Sequence, residues 1–245
     1  MKTPPVAAIK PHEMTIHGHT RVDNYFWLRE KENPEVIAYL EAENAYTQAG
    51  MAHTADLQET LYQEMVGRIQ ETDSSAPVAY GGYLYYTRTE AGQQYAIHCR
   101  KQGSLDAPEE ILLDENKLAE GTDYFNVGVF EISPDHTLLA YATDTTGGER
   151  YTLFVKDLAT GELLADQIAN TSYSVEWGND NRTLLYTVQD EAWRDYKVFR
   201  HVLGSDPADD AELFHEPDEL YRVFLDKTKD DAYIVLGVAS METSE

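Results

Sequence analysis

Histidine, carboxylate and thiol side chains are the groups here that could carry chemistry, and their spacing is the first test. His12-Glu13-Met14-Thr15-Ile16-His17 sets two histidines around a glutamate, as a zinc-peptidase helix does. Such a helix needs its histidines four residues apart, on one face, whereas these are five apart. His17-Gly18-His19 brings a third histidine but no carboxylate or thiol at ligand spacing, so no metal is expected. Cys99 directly follows His98, and on an extended strand adjacent side chains point to opposite faces. The two cannot form a thiolate dyad, and Cys99 reads as a small buried hydrophobe. A serine nucleophile on a strand-to-helix turn would need Gly-x-Ser-x-Gly, which does not occur. Walker and dinucleotide-binding glycine loops are absent too. The residues therefore assign no position to catalysis, to a cofactor or to a metal.

Composition narrows the partners. The 245 residues are 42% hydrophobic and 26% charged, a balance that can bury a core. Lys and Arg number 19 against 44 Asp and Glu, a net charge of −25. Nucleic acid and anionic membrane surfaces are excluded as partners, because both attract basic footprints. A cationic substrate is the natural complement, with solubility as the rival use of the charge. One cysteine cannot form an internal disulfide, and neither an apolar leader nor a membrane-length apolar run is present. A cytoplasmic location is the expectation.

The elements that must position any site fall into two parts. Residues 1–72 open with a stretch from Pro4 to Tyr25 that has no clear period. Asn33-Pro34-Glu35 then reads as an N-cap, a first-turn proline and an acid facing the helix dipole. Val36, Ile37, Leu40 and Tyr46 give that helix an apolar face, and Gly50 is a plausible stop. Thr54 is placed to cap a second helix, striped by Leu57, Leu61, Met65 and Ile69. A polar linker, Thr72 to Pro77, leads into residues 73–245, which read as short strands between Gly and Asp/Asn turns. Ser133-Pro134-Asp135-His136-Thr137-Leu138-Leu139 resembles Asn179-Asp180-Asn181-Arg182-Thr183-Leu184-Leu185, and Asp230-Asp231-Ala232-Tyr233 makes a third copy. Aligning Asp135, Asn181 and Asp231 gives steps of 46 and 50 residues. Gly81-Gly82 would be an earlier copy of the same turn. Such a period is the mark of a β-propeller. Leu138, Ala140 and Ala142 on one face of a strand, with Leu139 and Tyr141 on the other, fit a blade stacked between two neighbours. Trp27, Trp177 and Trp193 read as core or inter-blade packing. The expected fold is mainly β: a partial propeller of about three and a half blades, ending within the fourth, behind an N-terminal arm and two helices.

His17-Gly18-His19-Thr20-Arg21-Val22-Asp23-Asn24-Tyr25-Phe26-Trp27-Leu28-Arg29 resembles the opening motif of the prolyl oligopeptidase family of serine peptidases. Asn33-Pro34-Glu35-Val36 and Ala42-Glu43-Asn44 continue the likeness. Tyr86 to Tyr95 and Phe130-Glu131-Ile132-Ser133-Pro134-Asp135 are similar to its oligopeptidase B branch. The resemblance implies a seven-bladed propeller joined to an α/β-hydrolase domain, with the arm and helices packing on that domain. It places the Ser-Asp-His triad in the hydrolase domain, beyond this sequence, so no triad position is carried over. It also implies cleavage of short peptides after Lys or Arg, with the propeller gating access, no cofactor, and inactivity of this chain alone. A prolyl-specific oligopeptidase and a non-enzymatic propeller of the TolB type are the alternatives.

Overall fold

The computed structural model describes residues 3–244. The chain divides into two compact units, residues 1–70 and 71–245.

In the first unit, β1 (His12–Ile16) and β2 (His19–Asp23) form an antiparallel hairpin. The stretch expected to be patternless is therefore ordered as strands, and the His12–His17 segment is not helical. Both residues of its two-residue turn lie in the left-handed region, His17 at φ 51° and Gly18 at φ 77°. That is the geometry a tight hairpin favours. Histidine in place of the usual Asn or Asp hid the turn, and strands this exposed show no apolar alternation. A 3-10 turn at Phe26–Arg29 buries Trp27, whose indole N–H donates to the Ala8 carbonyl at 2.9 Å.

Helix α1 (Pro34–Met51) starts as its sequence dictates: the Asn33 side chain accepts from the Glu35 N–H at 2.9 Å. It continues through Gly50, and of its expected apolar face only Val36 is buried. Helix α2 (Ala55–Val66) follows, but Thr54 does not cap it. The Thr54 hydroxyl donates instead to the Met51 carbonyl, one turn back. Because α2 ends at Val66, Ile69 falls outside the helix, and Leu57, Leu61 and Met65 form an exposed stripe. No helix among the described residues is long and apolar enough to cross a membrane.

The second unit begins with β3 (Asp73–Ser74), β4 (Val78–Tyr80), β5 (Tyr83–Thr89), β6 (Ile97–Gln102) and β7 (Glu109–Asp114), which share one sheet. Asp73 pairs with Thr89, so the polar stretch expected as a linker adds a short strand to this sheet. After α3 (Glu115–Leu118) come β8 (Asn126–Ile132), β9 (Leu138–Asp144), β10 (Tyr151–Asp157), β11 (Leu163–Trp177), β12 (Thr183–Gln189), β13 (Asp195–Val202) and β14 (Ala211–His215). These seven pair in sequence order. The join is the 15-residue β11: its first part pairs with β10 and its last part with β12, so one strand closes one blade and opens the next. β15 (Arg222–Lys227) and β16 (Ile234–Ala239) pair as a separate sheet.

Burial follows the blades. Leu139 and Tyr141 pack with Leu113, on the side of the first sheet. Ala140 and Ala142, from the opposite face of the same strand, pack with Val175, Trp177 and Leu184 on the other side. A third cluster joins Val198 to Val223 and Leu225. Each fully buried aliphatic side chain contributes about 1.5–3 kcal/mol, so the faces between blades carry the stability of this unit.

The turns that close β8–β9, β11–β12 and β15–β16 are copies in backbone as well as in sequence. Ser133, Gly178 and Thr228 each donate their N–H to the carbonyl five residues on, at 2.8–3.0 Å. His136, Asn181 and Asp231 are the left-handed residues, at φ 62°, 56° and 56°. Equivalence therefore runs through Asp135, Asp180 and Asp230, in steps of 45 and 50 residues. Matching Asp135 to Asn181 was one residue out of register, because polar turn residues of similar type flank one another there.

Candidate functional site

The inner strands β4, β8, β11 and β15 end around a common cavity of about 390 Å³. Tyr80, Tyr85, Phe130 and Trp177 give it aromatic walls, and Glu131, Glu176, Lys227 and Asp231 supply the charge. Glu131 and Glu176 hold the same repeat position, two residues ahead of Ser133 and Gly178. The backbone around them is pinned between blades. The Trp177 indole N–H donates to the Glu131 carbonyl at 3.0 Å, and Lys227 Nζ donates to the Trp177 carbonyl at 3.2 Å.

The turns above the cavity also hold one another. The Asp135 N–H donates to Asn181 Oδ1 at 2.9 Å, and the Asn179 amide donates to the Asp231 carbonyl at 2.7 Å. His136 lies against Gly81, and its Nδ1 is 2.7 Å from the Tyr85 hydroxyl. Arg100 Nη1 fixes the His136 carbonyl at 2.7 Å while its guanidinium lies over the Tyr83 ring.

The electrostatics of the cavity are those of incomplete compensation. Burial, and then the neighbouring Glu176, push the Glu131 carboxyl up to about 7, against the pull of Lys227. Burial likewise raises Glu176; Lys227 opposes it, while Asp226 and Asp231 add to it. Among the described residues neither carboxylate accepts a hydrogen bond or forms an ion pair. No serine or cysteine nucleophile paired with a base lines the cavity. Its groups can bind and orient a ligand.

A second polar centre surrounds His201. His201 is wholly buried, with Nδ1 2.8 Å from Asp210 and Nε2 2.9 Å from Asp166. Asp166 also accepts from the Gly204 N–H at 2.5 Å, and Asp210 from the Tyr186 hydroxyl at 2.9 Å. With both ring nitrogens of the wholly buried His201 engaged, this centre cross-links β11, β12 and β13.

The residues singled out from sequence are scattered. His12, His17 and His19 lie exposed on the hairpin, and no group of three or more His, Cys, Asp or Glu among the described residues could hold a metal ion. Cys99 is buried, and burial pushes its thiol up to about 11. His98 turns away from it, bonding Glu115 at 2.7 Å and stacking on Phe130. Trp27 and Trp177 are in the core, but Trp193 is 47% exposed. Its indole donates to the Gly148 carbonyl at 2.7 Å, and Arg150 lies over its ring, so it ties two surface loops together. Sequence reasoning passed over Glu131 and Glu176. The signal available was their shared offset from the repeated turn.

Comparison with known proteins places the whole chain. Residues 4–245 match the family described as prolyl oligopeptidase, N-terminal β-propeller domain. The chain is 41% identical to dipeptidyl aminopeptidase BI of Pseudoxanthomonas mexicana, over 99% of its own length and 36% of that protein. It is 39% identical to protease 2 of Moraxella lacunata, over 98% of its length and again 36% of the relative. Among solved structures, oligopeptidase B from Leishmania major superposes with a TM-score of 0.90 at 35% identity, covering 99% of this chain and 37% of that one. The chain thus spans little more than a third of the length of these relatives.

Proposed function

Since the chain belongs to the prolyl oligopeptidase family, as its N-terminal β-propeller part, we propose that it serves a serine endopeptidase of the oligopeptidase B type, cleaving short peptides after Lys or Arg. In this reading residues 1–72 form the arm and helices that pack on a catalytic α/β-hydrolase domain, and residues 73–245 form propeller blades that screen what reaches it. The carrying observation is likeness along almost the entire chain to protease 2 and to oligopeptidase B, with both units included. The exposed Leu57, Leu61 and Met65 stripe of α2 supports a covering domain. The net charge of −25 supports a cationic substrate. A second reading, release of dipeptides from a free amino terminus, is favoured by the name of the 41% identical relative.

The test is a substrate series on the polypeptide that carries this chain together with a catalytic domain. The endopeptidase reading expects kcat/KM for an amino-blocked peptide with Arg before the scissile bond to exceed that of its Pro counterpart. A requirement for a free amino terminus would replace it with the dipeptidyl reading, and preference for Pro would overturn both. The 245-residue chain alone is expected to hydrolyse none of these peptides and to take no label from a serine-directed phosphonate.

A further inference from the structure

The cavity at the ends of β4, β8, β11 and β15 is partly apolar, partly charged, and short of counter-charge. Two half-buried carboxylates, Glu131 and Glu176, face it without a hydrogen-bond donor among the described residues. Burying an ionised carboxylate is costly unless a donor or an opposite charge compensates it. Lys227 supplies part of that charge, but its ammonium is engaged with the Trp177 carbonyl and makes no ion pair with either carboxylate among the described residues. The rings of Tyr80 and Phe130 add an aromatic lining that suits a delocalised or alkylated cation. A metal ion is the poorer fit, because no metal-holding group of side chains exists among the described residues. At about 390 Å³ the cavity is of a size that admits a small head group with its stem.

We infer that this cavity binds an organic cation, a guanidinium or a protonated amine, between Glu131 and Glu176 and against the aromatic wall. The inference rests on the peptide-handling reading only for the source of that cation, which is a basic side chain or a free amino terminus. Other titratable groups facing Glu131 and Glu176 are Lys227, Asp226, Asp231, Tyr80 and Tyr85. Both tyrosines are held neutral, since burial raises them above their ordinary value. Lys227 competes with the ligand; Asp226 and Asp231 favour it.

The experiment is calorimetric titration of the 245-residue chain at low salt and pH 8. Three tripeptide amides serve as probes: acetyl-Gly-Arg-Gly, its citrulline analogue, and Gly-Gly-Ala with a free amino terminus. Saturable one-to-one binding of a charged probe, and none of the citrulline peptide, is expected, and the probe that binds identifies the source. Glu131→Gln and Glu176→Gln should each weaken it about tenfold or more, as loss of a charge-assisted contact does. Lowering the pH to about 6 should weaken it about tenfold, as Glu131 takes up its proton. Lys227→Met should tighten it. Should a glutamine variant fail to melt cooperatively, Lys227→Met decides. Unchanged or weaker binding by Lys227→Met, wild-type binding by folded glutamine variants, or equal binding of the citrulline peptide overturns the inference. Binding here requires no hydrolysis, so failure of this site and failure of the proposed cleavage specificity are separately visible.

Discussion

Glu131 and His201 show two ways of burying a polar side chain. His201 sits between Asp166 and Asp210 at 2.9 and 2.8 Å, whereas Glu131 accepts no hydrogen bond among the described residues and has only the charge of Lys227 against its own burial. The difference has a sign that can be measured. A carboxyl held at about 7 in the folded state, above its ordinary 4.5, binds its proton more tightly folded than unfolded. Folding therefore loses stability as pH rises through that window: the penalty is absent below about pH 4 and complete above about pH 7. Glu131→Gln should be more stable than the wild type at pH 8, by up to about 3 kcal/mol, and equal to it near pH 4. Urea unfolding at the two pH values checks this. A stability difference that does not change with pH would show that Glu131 is not desolvated.

At the scale of the element, the turns between inner strands do more than reverse the chain. Gly81 lies at φ 54°, and a Cβ there would come within 1.6 Å of His136 Nε2, a ring belonging to the turn of the next blade. Gly82 has a similar φ of 85° but open space around it. Gly82→Ala should cost about 1 kcal/mol, the strain of a left-handed alanine. Gly81→Ala carries that strain and a clash as well, and should cost about 2–4 kcal/mol. In a His136→Ala background the two alanine variants should cost the same, because the ring is gone. A double-mutant cycle by thermal or urea unfolding reads the coupling, and independence of Gly81 from His136 would refute the inter-blade contact.

For the whole molecule, charge and exposed apolar surface oppose one another. Residues 1–72 carry 11 acids against 6 bases, and residues 73–245 carry 33 against 13, so both parts repel a second copy. Yet Tyr233, Val235 and Phe224 of the β15–β16 region are 71%, 46% and 44% exposed, and α2 presents its own apolar stripe. Contiguous apolar surface of this kind drives association once repulsion is screened. Raising salt from about 0.05 M to about 0.5 M shortens the screening length from more than 10 Å to less than half of that. The mass measured by light scattering at fixed protein concentration should therefore rise with salt. A mass that falls or stays monomeric across the series would mean that these faces are not adhesive.

How much was legible follows the range of the physics involved. Local rules sufficed for the Asn33 cap, for the two-sided apolar pattern of β9 and for the existence of three turn copies, since each is encoded within a few neighbouring residues. The hairpin at His17-Gly18 was missed, because exposed strands bury too little to show alternation. The repeat register slipped by one, since residue type alone does not reveal which of Asp180 and Asn181 takes the left-handed φ. The absence of Gly-x-Ser-x-Gly is likewise a fact of the sequence alone, because a missing pentapeptide needs no fold to be missing. Glu131, Glu176 and Lys227 meet only because successive blades bring the ends of three inner strands together. Their burial, and the lack of compensation that raises Glu131, arise from packing between residues some 45–50 positions apart. The sequence by itself thus determined the repeating unit and its family, and only the tertiary structure decided which of its many acids share one cavity.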